Sequence, residues 1–216
     1  MDYQPTPRTT VRRLPKRGDY DRATVHAILD AAFVCHVGFV AGDAGPVVIP
    51  TLYGRSGDTL YLHGSAASRM LKTLAEGVEA SIAVTLVDGL VMARSAFHHS
   101  INYRSVVLFG KAAPVTDEEA KNEALRVISD HISPGRWAEV RPPTQRELKA
   151  TLVLSMPIEE ASAKVRTGGP VDDEEDYALP VWAGVLPQRT IAGTQVDDGR
   201  LQAGVGLAKS VAEWRR

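Results

Sequence analysis

Residues 47–69, VVIPTLYGRSGDTLYLHGSAASR, restrict the possible folds more than any other stretch of the chain. Val47, Val48 and Ile49 form an apolar β-prone run that ends at Pro50, and Thr59-Leu60-Tyr61-Leu62 forms a second. Between them, Arg55-Ser56-Gly57-Asp58 has hairpin chemistry, because Gly accepts a positive φ and Asp closes an Asx-type turn. The second run leads directly into His63-Gly64-Ser65-Ala66-Ala67-Ser68-Arg69 and then into a helical run, Met70 to Leu74. Small residues, hydroxyls and an Arg at a helix start suit an anion such as a phosphate. The same residues also describe an ordinary helix N-cap, and by themselves they leave both readings open.

The rest of the chain extends this into an antiparallel meander. Met1 to about Arg17 is rich in Pro, Thr and Arg without an apolar period, and reads as an extended arm. Asp19 or Asp21 caps a helix with Val25, Ile28, Leu29 and Ala32 on one face, and Phe33 to Val40 is the first strand. Two hairpins in quick succession argue against a βαβ unit. Ala80 to Val87 is a strand, Asp88-Gly89 a hairpin turn, and Leu90 to Arg94 the returning strand. After a loop bearing His98 and His99, Tyr103 to Ala113 is a strand in HHSINYRSVVLFG, too uniformly apolar at Val106 to Phe109 for a solvent-facing edge. Thr116 with Glu119 forms a capping box for a helix ending near His131, the Trp137 region is turn-like, and Ala150 to Met156 and Ala161 to Val165 are strands separated at Pro157. The acidic run Asp172 to Asp176 is a solvated loop, and Tyr177 to Pro187 is apolar and punctuated by proline.

The motifs VVIPTLY, LYLHGSAASRML and HHSINYRSVVLFG, in that order and spacing, resemble the pyridoxamine 5'-phosphate oxidase-like superfamily, in its flavin-nucleotide-binding, nitroimidazole-resistance-like branch. The resemblance covers roughly Asp19 to Pro187. It implies a mainly β, α+β fold: an antiparallel split β-barrel of Greek-key type with flanking helices. The expected organisation is an arm over residues 1–18, a barrel domain over 19–190 and a tail over 191–216. The resemblance further implies FMN held at the interface of a homodimer, and flavin-mediated electron or hydride transfer to a small molecule. Residue by residue, the ring edge follows Ile49, Pro50, Thr51 and Leu52, and the phosphate meets the loop of His63, Gly64, Ser65, Ser68 and Arg69. Asn102, Tyr103, Arg104 and Ser105 match the strand that reaches the cofactor, and Trp182 matches a C-terminal tryptophan that approaches the flavin from the partner subunit.

Haem with His63 as a ligand, and a deazaflavin in place of FMN, are alternative cofactors that the resemblance also admits. A non-enzymatic flavin- or haem-binding sensor is the alternative function. LPVWAGVLPQR lacks the Arg/His signature of true pyridoxamine phosphate oxidases, so vitamin-forming oxidation is not expected. His98 and His99 are adjacent and would point to opposite faces of a strand, and no Cys or carboxylate completes a ligand set, so no metal site is expected. No nucleophile pairs with a base in the sequence, and Cys35 reads as a buried hydrophobe. A formal net charge of −1 gives no global field for nucleic acid or membrane, and without an apolar segment behind its basic N-terminus the chain is expected in the cytoplasm.

Overall fold

The computed structural model describes residues 2–215. In chain order its elements are β1 (Gly18–Asp19), α1 (Arg22–Ala31), β2 (Val34–Val40), β3 (Pro46–Ser56), β4 (Thr59–Ser65), α2 (Arg69–Ala75), β5 (Glu79–Met92), β6 (Ser100–Lys111) and β7 (Ala113–Pro114). They continue with α3 (Glu118–Ile132), α4 (Arg136–Glu139), α5 (Gln145–Ala150), β8 (Thr151–Pro157), β9 (Glu160–Arg166), β10 (Gly184–Pro187) and α6 (Lys209–Ala212). The strands form a ten-stranded sheet in the order β1-β9-β6-β5-β2-β3-β4-β8-β7, with β10 on β5. Non-consecutive neighbours such as β4 and β8 are joined by long connections, as in a Greek key. The fold is therefore the expected one, mainly β with flanking helices and consistent with a split barrel. Among the described residues no helix is long and apolar enough to cross a membrane.

The chain divides into two compact units, each assembled from three separate segments. One comprises Met1–Ala32, Ala83–Leu108 and Glu160–Thr190, and the other Phe33–Ile82, Phe109–Glu159 and Ile191–Arg216. In the first unit α1 starts at Asp21, whose carboxylate accepts from Thr24 N at 2.9 Å, and it buries Val25, Ile28 and Leu29. The N-terminal segment carries a turn at 7–9 and a 3-10 turn at Pro15–Arg17, and it is tied to its own unit. Tyr3 is buried with its hydroxyl 3.2 Å from His26 Nε2, and Glu160 accepts from Arg8 Nε at 2.6 Å.

In the second unit β3 changes partner along its length. Pro46 to Leu52 pair with β2, whereas Tyr53 to Ser56 pair with β4 around the turn at Gly57, which has φ +54°. Gly54 marks the change: a Cβ there would lie 2.7 Å from Ile128 Cα, so only glycine lets α3 come this close to the strand. Behind these strands Tyr53, Leu60, Leu62, Leu71, Leu74, Leu154 and Met156 are almost fully buried. Burial of each such side chain contributes roughly 1.5–3 kcal/mol.

Several local expectations need correction. Asp88-Gly89 is not a turn, because β5 runs without interruption from Glu79 to Met92. There Asp88 takes a side-chain partner and Gly89 pairs with Pro187, where a Cβ would be 2.9 Å from Val185 Cγ1. The cap of α3 is Asp117, whose carboxylate accepts from Ala120 N at 2.8 Å, one residue beyond Thr116. The region expected to be turn-like around Trp137 is instead helical, with Trp137 on α4 and then α5 headed by a capping box between Thr144 and Glu147. Finally, the acidic run is not wholly solvated, since its first residue, Asp172, is buried.

Candidate cofactor-binding site

The residues singled out from sequence fall into two groups, one on each unit. In the second unit, Ile49, Pro50, Thr51 and Leu52 lie on the stretch of β3 that pairs with β2. Pairing with β4 begins only at Tyr53, so the edge of this stretch turned away from β2 has no strand beside it among the described residues. Such an edge offers main-chain donors and acceptors to a planar heterocycle. Burial along it is incomplete on both faces: Val48 and Leu52 are exposed and Ile49 and Thr51 are half-buried. A strand that carries apolar side chains yet leaves them uncovered has room for a ligand or partner on them.

The loop after β4 is folded by its own hydroxyls. Ser65 Oγ accepts from Ala67 N at 3.1 Å, Ser68 N donates to Ser65 O at 2.9 Å, and Ala66 N donates to Ala150 O at 2.9 Å. Ser68 is the N-cap of α2, accepting from Leu71 N at 3.4 Å. The capping role admitted by the sequence is thus real for Ser68. Gly64 brings the chain close to Leu71, where a Cβ would be 3.1 Å from Leu71 Cδ1. Arg69 differs from the serines: it is exposed and has no hydrogen-bond or ion-pair partner among the described residues. A planar guanidinium free at the first residue of α2 is suited to a phosphate, to which it can donate two hydrogen bonds.

His63, Gly64 and Ser65 are not in a loop as expected but end β4, paired with β8, with His63 opposite Val153. Its Nδ1 is buried without a hydrogen-bond partner among the described residues. Burial lowers its pKa below the ordinary histidine value, so the ring is neutral at physiological pH and one ring nitrogen is available as an electron-pair donor. A neutral imidazole is the form that binds a metal centre such as haem iron. No group of three or more His, Cys, Asp or Glu among the described residues is placed to hold a metal ion by itself.

The first unit employs its candidates differently. Arg104 Nε and Nη2 donate to the two oxygens of Asp88 at 2.9 and 2.8 Å, and this pair raises the Arg104 pKa. Ser105 Oγ donates to Lys164 O at 3.2 Å. Asn102 is buried, with Nδ2 donating to Gly168 O at 3.1 Å and Oδ1 accepting from Arg166 Nη1. Tyr103 is half-buried beside them. Trp182 is 68 % exposed, with its ring turned back over Gly184, where a Cβ would be 3.0 Å from Trp182 Cζ2.

Two residues that local sequence patterns do not flag complete this unit. Asp172 is buried and accepts from Arg94 N at 3.0 Å and Arg94 Nη1 at 3.1 Å, while the Arg94 guanidinium lies 4.8 Å from the Tyr177 ring centroid. Burial alone would raise the Asp172 pKa, but hydrogen bonds from the Arg94 side chain and from backbone N–H groups outweigh it and hold the carboxyl below its ordinary value. Arg166 is the second, buried at the end of β9.

Against this geometry, a sequence profile of the pyridoxamine 5'-phosphate oxidase family matches residues 21–165. The chain belongs to the pyridoxamine 5'-phosphate oxidase family. Members of known structure resemble it over nearly their whole length. The flavocytochrome Anf3 from Azotobacter vinelandii is 44 % identical, with 99 % of each chain covered and a TM-score of 0.91. The FAD and haem binding protein from Mycobacterium smegmatis is 39 % identical, with 91 % of this chain and 96 % of that one covered and a TM-score of 0.86. A candidate 5-nitroimidazole antibiotic resistance protein from Bacteroides thetaiotaomicron shares the family fold at 24 % identity and a TM-score of 0.59, covering 68 % of this chain and 86 % of that one. No curated protein matches the sequence.

Proposed function

We propose that this member of the pyridoxamine 5'-phosphate oxidase family binds a flavin together with haem and acts as an oxidoreductase on a small molecule. The observation that carries the reading is the 44 % identity, over 99 % of both chains, to a flavocytochrome. FAD, the flavin named for the Mycobacterium relative, is favoured over the FMN and deazaflavin considered from sequence. When bound, flavin and haem supply the electron-transfer chemistry.

The chain's own residues bind and orient. Arg69 and the segment from Gly64 to Ser68 receive the flavin phosphate, and the free edge of β3 from Ile49 to Leu52 offers hydrogen-bonding groups to the ring. His63, kept neutral by burial, is the first candidate for an iron ligand. The β2–β3 register places Val34 with Leu52, Gly38 with Val48 and Val40 with Pro46, which lines an exposed apolar face across the two strands. A second copy of the chain covers this face in a homodimer, and the exposed Trp182 is a further contact.

Reconstitution tests the reading. The apoprotein should take up FAD and haem stoichiometrically, and the loaded protein should oxidise a reduced nicotinamide cofactor with a nitro compound or quinone as acceptor. Stoichiometric cofactor without turnover across a broad acceptor panel would leave a binding or sensor protein. Light scattering that finds a monomer with flavin still tightly bound would contradict the dimer.

A further inference from the structure

Arg166 is a buried cation with no anionic partner among the described residues. It is 8 % exposed, and its guanidinium donates to three neutral acceptors, Asn102 Oδ1, Gly168 O at 3.3 Å and Gly169 O at 3.1 Å. Those bonds use Nη1 and one hydrogen of Nη2, leaving Nε and the second Nη2 hydrogen without a partner among the described residues. Buried guanidinium groups are ordinarily compensated by a carboxylate, because removing a charge from water costs several kcal/mol. Here the one charged group among the described residues that acts on it has the same sign: Arg17 disfavours the Arg166 cation, and the Tyr103 phenol acts in the opposite direction.

The fold holds this arrangement in place. Gly18 of β1 pairs with Lys164 of β9, which brings Arg17 alongside the end of that strand. Gly168, with φ +94°, turns the chain so that its carbonyl meets both Asn102 Nδ2 and Arg166 Nη1. Asn102 therefore bridges the guanidinium to the loop that wraps it, and the fork is fixed in direction. Burial, and secondarily Arg17, lower the Arg166 pKa from its ordinary value, as expected for a cation that lacks its counter-charge.

We infer that Arg166 and Arg17 form an oxyanion site that takes a phosphate or carboxylate group of a bound cofactor. The inference rests on the reading of the chain as a flavin- and haem-binding protein for the source of that oxyanion, but not for the site. Two sources share the chemistry, a phosphate of the flavin nucleotide and a propionate of haem. Arg69 lies on the other unit and serves a separate contact. Asn102 is in this account a positioning residue that aims Arg166.

The test is a set of binding titrations on the full chain and on Arg166→Gln, Arg166→Lys and Arg17→Gln. The probes are riboflavin, FMN, FAD, haemin and the dimethyl ester of haem, which lacks free carboxylates. If a flavin phosphate is the source, it is the second one of FAD, so Arg166→Gln weakens FAD by about tenfold or more and leaves riboflavin unchanged. If a propionate is the source, haemin weakens by a similar factor and the diester does not. In either case Arg17→Gln shows the same selectivity with a smaller loss, and Arg166→Lys recovers part of the affinity. Equal losses for charged and uncharged members of a pair, or no loss in any variant, would overturn the proposal. Should Arg166→Gln fail to fold, Arg17→Gln decides by the same selectivity. Should the wild-type chain bind neither flavin nor haem, the functional reading falls. The site is then judged by inorganic pyrophosphate, which must raise the thermal midpoint of the wild type more than that of Arg17→Gln.

Discussion

The segment His63–Arg69, which ends β4 and opens α2, and the strand at Asn102–Ser105 resemble each other on paper, since each is a short run of polar residues next to apolar ones. In the structure they are employed in opposite ways. Arg69 is exposed and unpaired, whereas Arg104 is locked in a two-bond pair with Asp88 and Ser105 and Asn102 are spent on Lys164 O, Gly168 O and Arg166. The first region presents its cation outward. The second uses its polar side chains as a frame, and the cation it frames is Arg166. Polar residues beside a strand thus divide into those left free and those that hold a neighbouring side chain in place, and only the inventory of hydrogen bonds separates them.

Breaking the scaffold of the first region gives the largest expected effect. Leu62 is 1 % exposed and precedes His63 on β4, so Leu62→Ala should destabilise the fold by about 2–5 kcal/mol, seen as a lower midpoint in denaturant. Next comes Arg69→Ala. Loss of a charge-assisted contact of roughly 1.5–3 kcal/mol should weaken flavin binding about ten- to a hundredfold. Apoprotein stability should not move, because the side chain is exposed and unpaired; an unchanged flavin affinity would place the phosphate elsewhere.

A pH titration sharpens the assignment of His63. Its folded pKa lies below the ordinary value, so as pH falls from about 7 to about 5 the unfolded chain takes up a proton that the folded chain refuses, and stability drops. The slope levels off below the folded pKa. His63→Gln should flatten this part of the stability profile, and an identical slope in the variant would assign it to other groups.

Smaller effects belong to Arg104. Its pair with Asp88 is partly solvent-exposed, and such pairs contribute about 0–1 kcal/mol, so Arg104→Gln should change stability little. Flavin affinity should shift far less than in Arg69→Ala, and an equal loss would return Arg104 to the ligands and erase the contrast between the regions. The smallest effect is a null one. Cys35 is fully buried and its thiol is pushed up to about 12 by desolvation, so a thiol reagent should leave the native protein unmodified and label it only on unfolding.

Much of the fold was legible because its signals are local. The cap at Asp21, the turn at Gly57 and the helix after Ser68 each follow from a few adjacent residues. The errors arose where a distant partner overrides the local signal. Asp88-Gly89 has turn chemistry, but Arg104 and β10 hold it in a continuous strand. Asp172 opens an acidic run that reads as solvated, and its burial depends on Arg94, far away in sequence. The capping box at Thr144 was readable from spacing alone, but the neighbouring Pro142-Pro143 pointed to a turn. In the candidate site, the motifs around Ile49 and Arg69 were visible as local runs. Arg166 was not, because a single Arg at a strand end is unremarkable until burial, Asn102 and the lack of an acid partner among the described residues are seen together.

The central claim is that this chain binds a flavin and haem, and the absorption spectrum of the purified protein tests it most directly. The account predicts oxidised-flavin bands together with a Soret band, the latter lost or shifted in His63→Gln if His63 ligates the iron. A colourless protein that takes up neither added flavin nor haemin would contradict it and would leave the loop at Ser65–Arg69 an ordinary helix cap.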